Sequence, residues 1–327
     1  MIVIVPLVLL VAVMIVGLVW FTASTARKVE AALPPRGRFM EIDGERIHYL
    51  DTGGAGPAVV MIHGLGGNLL HFDYALAGRL AGEFRLILVD RPGSGYSTRA
   101  TGADATLTAQ AVAISKLIGA LGLTRPLVVG HSLGGAVSLA LALDHPDCVG
   151  GLALVAPLTH AQEEVAAIFR RLVIRSNLVR NLVAWTVATP LAIRRGPATL
   201  KEVFAPEAVV PDFPLRAGGL LGLRPKAFYA ASSDLVAVND VLPGYVSRYP
   251  SLDKPLGILF GTGDRLLDYR KHGQAMKASC PALDLELVEA GHMLPMTAAD
   301  CCAALIRRIA ARQREVSRDA GQHSPTA

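Results

Sequence analysis

Residues 127–134 read LVVGHSLG, and this stretch decides the fold. The apolar run at 127–129 is typical of a buried strand, and the small apolar residues at 135–143 suit a helix packed closely on a sheet. The motif GHSLG at 130–134 fits the pattern G-x-S-x-G, in which a sharp strand-to-helix turn lifts a serine hydroxyl out of the sheet. Its glycines let neighbouring backbone pass without a Cβ clash. The pattern predicts Ser132 as a nucleophile at a helix N-terminus, where the helix field favours negative charge.

Other short apolar runs recur along the chain with helical patterns between them. Alternation of helices with fully apolar strands predicts an α/β fold with a mostly parallel sheet covered by helices. Residues 39–51 differ, because two alternating runs flank the turn pair Asp43-Gly44, which predicts an antiparallel hairpin at one edge of the sheet. The remaining strands are expected at residues 58–62, 85–89, 152–155, 256–260 and 283–288.

The order of the predicted strands and helices divides the chain into a core, a cap and a tail. Residues 39–157 and 251–312 are predicted to form the α/β core. Residues 158–250 look helical throughout and are predicted to form a cap, inserted at the carboxyl ends of the strands, where ligands bind in such sheets. Residues 313–327 form a tail that is small and polar from about residue 319 and is predicted to be disordered at its end.

The N-terminus is a continuous apolar run. Residues 1–21 read MIVIVPLVLLVAVMIVGLVWF and carry no charge. A helix of this length crosses the hydrocarbon core of a bilayer, with Trp20 and Phe21 at an interface. We therefore predict a single-pass membrane anchor, followed by a linker at 22–38. The alternatives are a cleaved signal peptide, for which a basic n-region is missing, and a buried core helix.

Basic residues follow this run and none precedes it. Arg27, Lys28, Arg36 and Arg38 lie just after the span. The positive-inside tendency then favours the cytoplasmic side for the bulk of the chain. Long domains can be translocated regardless of charge, so the side of the membrane stays open.

Composition argues against several other classes of protein. The net charge is +5, without a long basic block or interleaved aromatic and basic residues, so nucleic acid is not an expected partner. The four cysteines form no CxxC pair and no Cys/His cluster with zinc-like spacing, so neither a metal site nor a disulfide scaffold is indicated. The oligomeric state is left open by these patterns.

A glycine-rich turn follows the first predicted parallel strand. HGLGG at 63–67 leaves backbone N–H groups free of side-chain cover, and two such groups aimed at one point stabilise an oxyanion. We expect these donors to be the N–H groups of Leu65 and Leu133. His63 is expected to help shape the turn. The alternative is a plain connecting loop.

The base and its acid are expected at the ends of later strands. His292 follows the last predicted strand directly, which brings it to the same sheet edge as Ser132, so we predict it as the base. His131 adjoins the nucleophile, but its side chain is expected to point away across the turn. Asp264, just past the strand at 256–260, is predicted to orient the imidazole, with Asp268 as the second candidate.

These motifs together resemble those of the α/β-hydrolase superfamily, and the resemblance covers about residues 39–312. It implies the α/β-hydrolase fold, a helical cap, the chain order Ser, Asp, His, and no cofactor. The motifs that carry it are HGLGG from His63, DRPGSGYS from Asp90, GHSLGG from Gly130, GTGD from Gly261 and AGHM from Ala290.

One residue narrows the reaction that the resemblance implies. Haloalkane dehalogenases and epoxide hydrolases carry Asp as nucleophile, whereas this chain has Ser132, whose alkoxide forms an acyl-enzyme that water can clear. An esterase or lipase-like hydrolase acting on a small-molecule or lipid-like ester is therefore favoured. C–C bond hydrolases and cofactor-free haloperoxidase-like enzymes share the same three residues and stay open. A non-catalytic binding protein of this fold would lack one of them.

The predicted cap is apolar and rich in arginine. Residues 158–250 hold 11 Lys and Arg against 7 Asp and Glu. One interpretation is a lid that lies on an anionic membrane surface, so that acyl-chain substrates enter from the bilayer. The other is a set of ordinary amphipathic helices with solvated charges.

Overall fold

One eight-stranded sheet organises the computed structural model, which describes residues 4–100 and 102–322. Its order is β1-β2-β4-β3-β5-β6-β7-β8 once the strands are numbered along the chain. The last six strands pair in parallel and the first two antiparallel, so the predicted mostly parallel sheet with a hairpin at one edge is confirmed. The strands are Arg38–Ile42 (β1), Glu45–Asp51 (β2), Ala58–Ile62 (β3), Arg85–Val89 (β4), Leu127–His131 (β5), Gly151–Val155 (β6), Leu256–Gly261 (β7) and Asp284–Val288 (β8).

Helices connect the strands and pack on the sheet. The helix after β5 packs on that strand, and the last helix of the chain packs on β6 and β7. The predicted arrangement of helices flanking the sheet is therefore confirmed. The helices are Ile4–Ala32 (α1), Leu70–Asp73 (α2), Leu76–Leu80 (α3), Leu107–Ala120 (α4), Leu133–Asp144 (α5), Asn177–Val183 (α6), Thr189–Phe204 (α7), Pro225–Val246 (α8), Ala275–Ser279 (α9), Leu294–Thr297 (α10) and Ala299–Gln322 (α11).

Burial and the conformations of turn residues explain why these residues form these elements. Every residue of β5, β6 and β7 is buried, as expected for central strands covered on both faces. The edge hairpin turns at Asp43 and Gly44, which both have positive φ values of 50° and 79°. A turn with positive φ at two consecutive residues matches the right-handed twist of the flanking strands and fixes the register of the hairpin.

The segment between β6 and β7 is helical. Residues 158–250, all of which the structure describes, contain no strand. A π-helical turn at Ala184–Ala188 joins α6 to α7, so that one helical segment runs from Asn177 to Phe204. α8 then returns the chain towards β7.

The structure differs from expectation just after the apolar run. Residues 22–32, predicted as part of a linker, continue α1. Ala, Lys and Glu, which dominate after Thr25, favour helix, and Pro34-Pro35 follows soon after its end. Within the described residues, α1 is the one helix long and apolar enough to cross a membrane, and its apolar part is exposed. Residues 1–3 of the predicted anchor lie outside the described part.

The end of α1 that follows the apolar run packs on the cap. Thr22 is fully buried, and its hydroxyl donates to the carbonyl oxygen of Thr186 at 3.4 Å. Two turns on, the Glu30 carboxylate lies 3.3 Å from the guanidinium of Arg224, which is itself buried at the start of α8. The part of α1 that follows its apolar stretch is therefore held against the cap.

The C-terminal region also departs from expectation. α11 continues to Gln322, past residue 319, where the small, polar tail was expected to lose its order. Arg and Glu spread along this helix favour its continuation. Residues 323–327 lie outside the described part of the chain, so the predicted disorder of the last residues is untested.

Candidate active site

Ser132 occupies the sharp turn between β5 and α5. Its φ of 54° and ψ of −121° are strained for a residue with a Cβ, as the nucleophile pattern requires. Gly134 makes the turn possible, because a Cβ there would overlap the carbonyl oxygen of Ile62. A Cβ on Gly130 would lie 2.6 Å from the carbonyl oxygen of Gly134, which no real side chain tolerates.

His292 and Asp264 meet beside this turn. His292 Nδ1 lies 2.7 Å from Asp264 Oδ2, and both side chains are buried. The other oxygen of Asp264 accepts the N–H groups of Leu266 and Leu267 at 2.8 and 3.0 Å, which fixes the carboxylate in place. An ionised carboxylate accepts the Nδ1 proton, so Nε2 is the nitrogen left to accept a further proton.

The second candidate for the acid lies elsewhere. Asp268 Oδ1 accepts the N–H of Arg270 at 2.9 Å, and the Asp268 side chain is exposed. This carboxylate ends a local turn and is bonded to backbone rather than to the imidazole. The geometry favours Asp264 over Asp268.

Two backbone donors remain open above Ser132. Leu133 is the first residue of α5, and Leu65 lies in the glycine-rich turn after β3. Within the described residues neither N–H donates to a protein acceptor, and both residues line the same cavity as Ser132. Helix N-termini and such turns leave N–H groups available for an anion.

A buried arginine holds the glycine-rich turn. Arg91 Nε donates to the carbonyl oxygen of His63 at 2.9 Å, and Nη2 donates to that of Gly64 at 3.0 Å. The Arg91 N–H donates to His63 Nε2 at 3.1 Å, and His63 Nδ1–H donates to Gly64 O at 2.8 Å. The backbone just before Leu65 is thus held on two sides.

The same arginine ties the turn to the cap. Arg91 Nη1 donates to Asp234 Oδ2 on α8 at 2.6 Å, and both side chains are fully buried. The second oxygen of Asp234 accepts from Arg99 at 2.6 Å. Asp234 therefore neutralises two guanidinium groups between the core and the cap.

Breaking this ion pair is expected to destabilise the protein. Asp234→Asn should lower the free energy of unfolding by about 3–5 kcal/mol, because it leaves buried Arg91 without a counter-charge. Denaturant unfolding of the variant and of Asp240→Asn, an exposed carboxylate on the same helix, gives the comparison. A loss no larger than that of Asp240→Asn would contradict this account of the network.

His131 is placed differently from expectation. Its ring does not point away but packs on the ring of His292, with the centroids 4.9 Å apart. His131 Nε2 donates to the carbonyl oxygen of His292 at 3.0 Å, and burial lowers the pKa of His131 well below its usual value, so the ring is neutral. The reason is the turn itself, which aims the side chain before Ser132 towards the loop that follows β8.

A carboxylate from the cap holds that loop. Both oxygens of Glu207 lie within 3.0 Å of the N–H of Gly291, the residue before His292. Gly291 has no room for a side chain, because a Cβ would press on the Ala205 backbone and on Glu207. The cap is therefore linked to the glycine-rich turn through the Asp234–Arg91 ion pair and to the loop of His292 through Glu207.

Buried histidines, His63 and His272 among them, predict a loss of stability in acid. Burial lowers the pKa of His63 from 6.5 to about 3 and that of His272 to about 4, and each ring accepts a backbone N–H. Below pH 6.5 the unfolded chain binds protons that the folded rings do not. Stability is therefore full above this pH and falls by up to about 1.4 kcal/mol per pH unit and per histidine as the pH drops.

Denaturant unfolding at about pH 7 and pH 5 tests this slope. His272→Gln keeps an acceptor for the N–H of Thr159 but does not titrate, so it is expected to flatten the dependence. An unchanged slope in this variant would show that His272 is protonated in the folded state as readily as in the unfolded one.

A cavity of about 220 Å³ opens at Ser132 and His292. In the described part of the chain its walls carry no lysine, arginine, aspartate or glutamate, so it is suited to an apolar group. The core supplies Leu65, Leu133, Leu266, Leu267 and Met293, and the segment between β6 and β7 supplies Leu158, Phe169, Leu200, Val203, Phe213, Leu235 and Val238.

The structure brings Ser132, His292, Leu65 and Leu133 to one cavity, with Asp264 bonded behind the histidine. Reasoning from sequence did not find the supporting residues Arg91, Asp234 and Glu207, nor the place of His131. Arg91 alone had a local signal, in the motif that begins at Asp90. The two carboxylates lie in helical or loop sequence with no pattern that marks them.

Comparison with known proteins agrees with this fold. A sequence model of the alpha/beta hydrolase fold family matches residues 57–299. The chain is 28% identical over 272 residues to the magnesium-chelatase 30 kDa subunit of Rhodobacter capsulatus, which covers 79% of this chain and 88% of that protein.

Two further matches are more limited. The chain is 36% identical over 115 residues to a 2-hydroxy-6-oxononadienedioate/2-hydroxy-6-oxononatrienedioate hydrolase of Burkholderia vietnamiensis, covering 34% of this chain and 39% of that one. The crystal structure of a membrane phospholipase A superposes with a TM-score of 0.66 at 24% identity, covering 94% of this chain and 98% of the other. At this identity the likeness shows a shared fold.

Proposed function

Because the chain belongs to the alpha/beta hydrolase fold family, we propose that it is a serine hydrolase acting on carboxylic esters with apolar acyl groups. Ser132 is the nucleophile, His292 the base and Asp264 the acid that orients it. The observation that carries this proposal is the apolar cavity at Ser132 and His292, whose described walls bear no charged side chain.

The reaction follows from the positions of these groups. Ser132 Oγ attacks the ester carbonyl carbon while His292 Nε2 takes its proton, and the N–H groups of Leu65 and Leu133 hold the resulting oxyanion. His292 returns the proton to the leaving alcohol, which leaves an acyl group on Ser132. Water activated by His292 then attacks this acyl-enzyme and releases the acid. Asp264 holds the imidazole tautomer and stabilises the imidazolium in both steps.

A C–C bond hydrolase is the second candidate, favoured by the partial match to the dienedioate hydrolase. A substrate with carboxylates would call for a cation in the cavity. The buried cap arginines Arg180 and Arg224 are hydrogen-bonded to other protein groups and do not line the cavity.

A cofactor-free haloperoxidase-like reaction would use the same three residues, Ser132, His292 and Asp264. A purely binding role does not explain a complete set of them.

We also propose that the chain is anchored in a membrane by residues 1–21, with residues 39–157 and 251–312 as catalytic core and 158–250 as cap. The exposed apolar surface of α1 supports this, and so does the packing of Thr22 and Glu30, which a cleaved signal would leave unexplained. The basic residues after the span favour a cytoplasmic catalytic domain.

Hydrolysis of esters of graded length tests the substrate class. The full-length chain in detergent micelles is assayed on acetyl, butyryl, octanoyl and palmitoyl esters of p-nitrophenol. We expect kcat/KM to rise roughly tenfold or more from acetyl to octanoyl, because the apolar cavity binds the added methylenes. If no ester is turned over while a fluorophosphonate still labels Ser132, the nucleophile stands and the ester class is wrong.

A further inference from the structure

Exposed apolar side chains of the cap are concentrated in residues 173–193, which we call the cap face. In the described part of the chain outside α1, most of the large apolar side chains that are exposed belong to this segment. They are Val173, Leu178, Val179, Leu182, Trp185, Val187, Leu191 and Ile193.

Helical spacing places three of these side chains on one side of the helical segment. Leu178, Leu182 and Trp185 follow one another at i, i+4 and i+7 and are 80%, 55% and 41% exposed. Ala184 and Ala188, on the other side of the same helical segment, are buried. Large apolar side chains that stay exposed on one side of a helix are typical of a surface that meets another apolar phase.

The position of α1 indicates which phase this is. Trp20 and Phe21 end the exposed apolar stretch of α1, and the next residue, Thr22, bonds to the backbone of Thr186. Thr186 is the neighbour of Trp185 in the cap face. The interface of a bilayer spanned by α1 would therefore lie at the level of the cap face.

Charges at the ends of the cap face fit the same surroundings. Arg171, Arg175, Arg194 and Arg195 are exposed, and none has an acidic partner within the described residues. Cations beside an apolar helix face are the pattern of helices that lie in the interface of a membrane with anionic lipids.

We propose that the cap face lies in the interface of the membrane that α1 spans, with Leu178, Leu182 and Trp185 among the upper acyl chains. This proposal depends on the proposed anchoring by α1 but not on the proposed reaction. A second copy of the chain or another protein would have to displace lipid that the span itself brings to this place.

One helix carries part of the cap face and also lines the cavity. α7 carries Leu191 and Ile193 of the cap face in its first turns, and its later residues Thr199, Leu200 and Val203 line the cavity. A substrate dissolved in the bilayer would therefore meet the helix that forms the cavity wall.

The two tryptophans of the chain, Trp20 and Trp185, allow a direct test. Full-length Trp20→Phe reports on the cap face alone, and full-length Trp185→Phe reports on the span alone. Each variant is reconstituted into vesicles of phosphatidylcholine and phosphatidylglycerol, with and without brominated phosphatidylcholine, whose bromine atoms quench tryptophan on contact. Accessibility to aqueous acrylamide is measured in parallel.

We expect bromolipid to quench both tryptophans and acrylamide quenching of Trp185 to fall when the protein moves from detergent to vesicles. If Trp20 is quenched and Trp185 is not, the anchor stands and the cap proposal is overturned. If Trp185 is shielded from acrylamide without quenching by bromolipid, a protein covers the face and the proposal is also overturned. If Trp20 is not quenched, the anchor fails and the cap proposal fails with it.

A pair of substitutions separates the cap face from the rest of the surface. In the Trp20→Phe background, Leu178→Asp is expected to lower the quenching of Trp185 by bromolipid roughly twofold or more, because a charge disfavours burial among acyl chains. Leu215→Asp changes an exposed leucine outside the cap face and should leave the quenching unchanged. Equal effects of the two substitutions would contradict the proposal. None of these measurements depends on hydrolytic activity.

Discussion

Replacing Ser132 with alanine is expected to lower kcat for p-nitrophenyl octanoate by about 10⁶-fold. The substitution removes the oxygen that forms the acyl-enzyme and leaves His292 without a nucleophile to deprotonate. Because serine and alanine meet the same backbone strain at this turn, the fold should be unaffected. Steady-state hydrolysis by the full-length variant in detergent, with circular dichroism to verify folding, measures the effect.

Ser115→Ala is the matched control for this substitution. Ser115 lies on α4, and its hydroxyl donates to the carbonyl oxygen of Val112 at 3.2 Å, away from the cavity. We expect its turnover to stay within about twofold of the unaltered chain, as for most substitutions outside a site. Turnover that survives in Ser132→Ala would mean that another group carries the reaction.

Asp264→Asn is expected to lower kcat by roughly 10⁴-fold. The carboxylate lies 2.7 Å from His292 Nδ1 and holds the proton on that nitrogen. An amide can present its NH₂ group to Nδ1 instead, which moves the ring proton to Nε2 and blocks the acceptance of a proton from Ser132. The packing around the site should change little, because the two side chains have nearly the same shape.

Asp268→Asn provides the control on the neighbouring carboxylate. Asp268 is exposed and accepts only a local backbone N–H among the hydrogen bonds found in the described chain, so kcat should change by less than about twofold. Steady-state hydrolysis by both variants under the same conditions decides between the two acids. The opposite order of effects would make Asp268 the orienting acid.

Local sequence patterns predicted the core of the fold because short-range physics determines it. Continuous apolar runs match strands buried on both faces, and the pair Asp43-Gly44 matches the positive φ values of its turn. GHSLG predicted the strained Ser132 because its glycines stand where a Cβ would overlap neighbouring backbone. His292 and Asp264 were predicted to lie near each other because parallel strands end at one edge of a sheet, and the structure places His292 Nδ1 2.7 Å from Asp264 Oδ2.

Contacts between residues far apart in the sequence could not be predicted from local sequence patterns. Arg91 and Asp234 are separated by 143 positions, and Glu207 reaches Gly291 across 84. Nothing near Asp234 or Glu207 in the sequence distinguishes them from solvated helix or loop charges. Only the folded position of the cap shows that one carboxylate balances buried guanidinium groups and that the other holds the histidine loop.

The N-terminal region shows the same limit. Hydropathy predicted the apolar span but ended it at residue 21, because charge and polarity resume there. The helix continues for a reason that is partly tertiary, since Thr22 and Glu30 contact the cap. Two interpretations of the arginine-rich cap were open from sequence. The contact between α1 and Thr186 places the cap face beside the apolar part of α1, and this favours the interpretation in which the cap meets a membrane.

Covalent labelling tests the central claim most directly. The full-length chain, folded in detergent, is treated with a fluorophosphonate and digested, and the site of the adduct is mapped by mass spectrometry. Because the probe reacts only with a serine activated by its base and oxyanion donors, we expect one adduct, on the peptide that contains Ser132, and its loss in Ser132→Ala. A folded protein that takes no label, or takes it on another residue, would contradict the assignment of Ser132 as nucleophile.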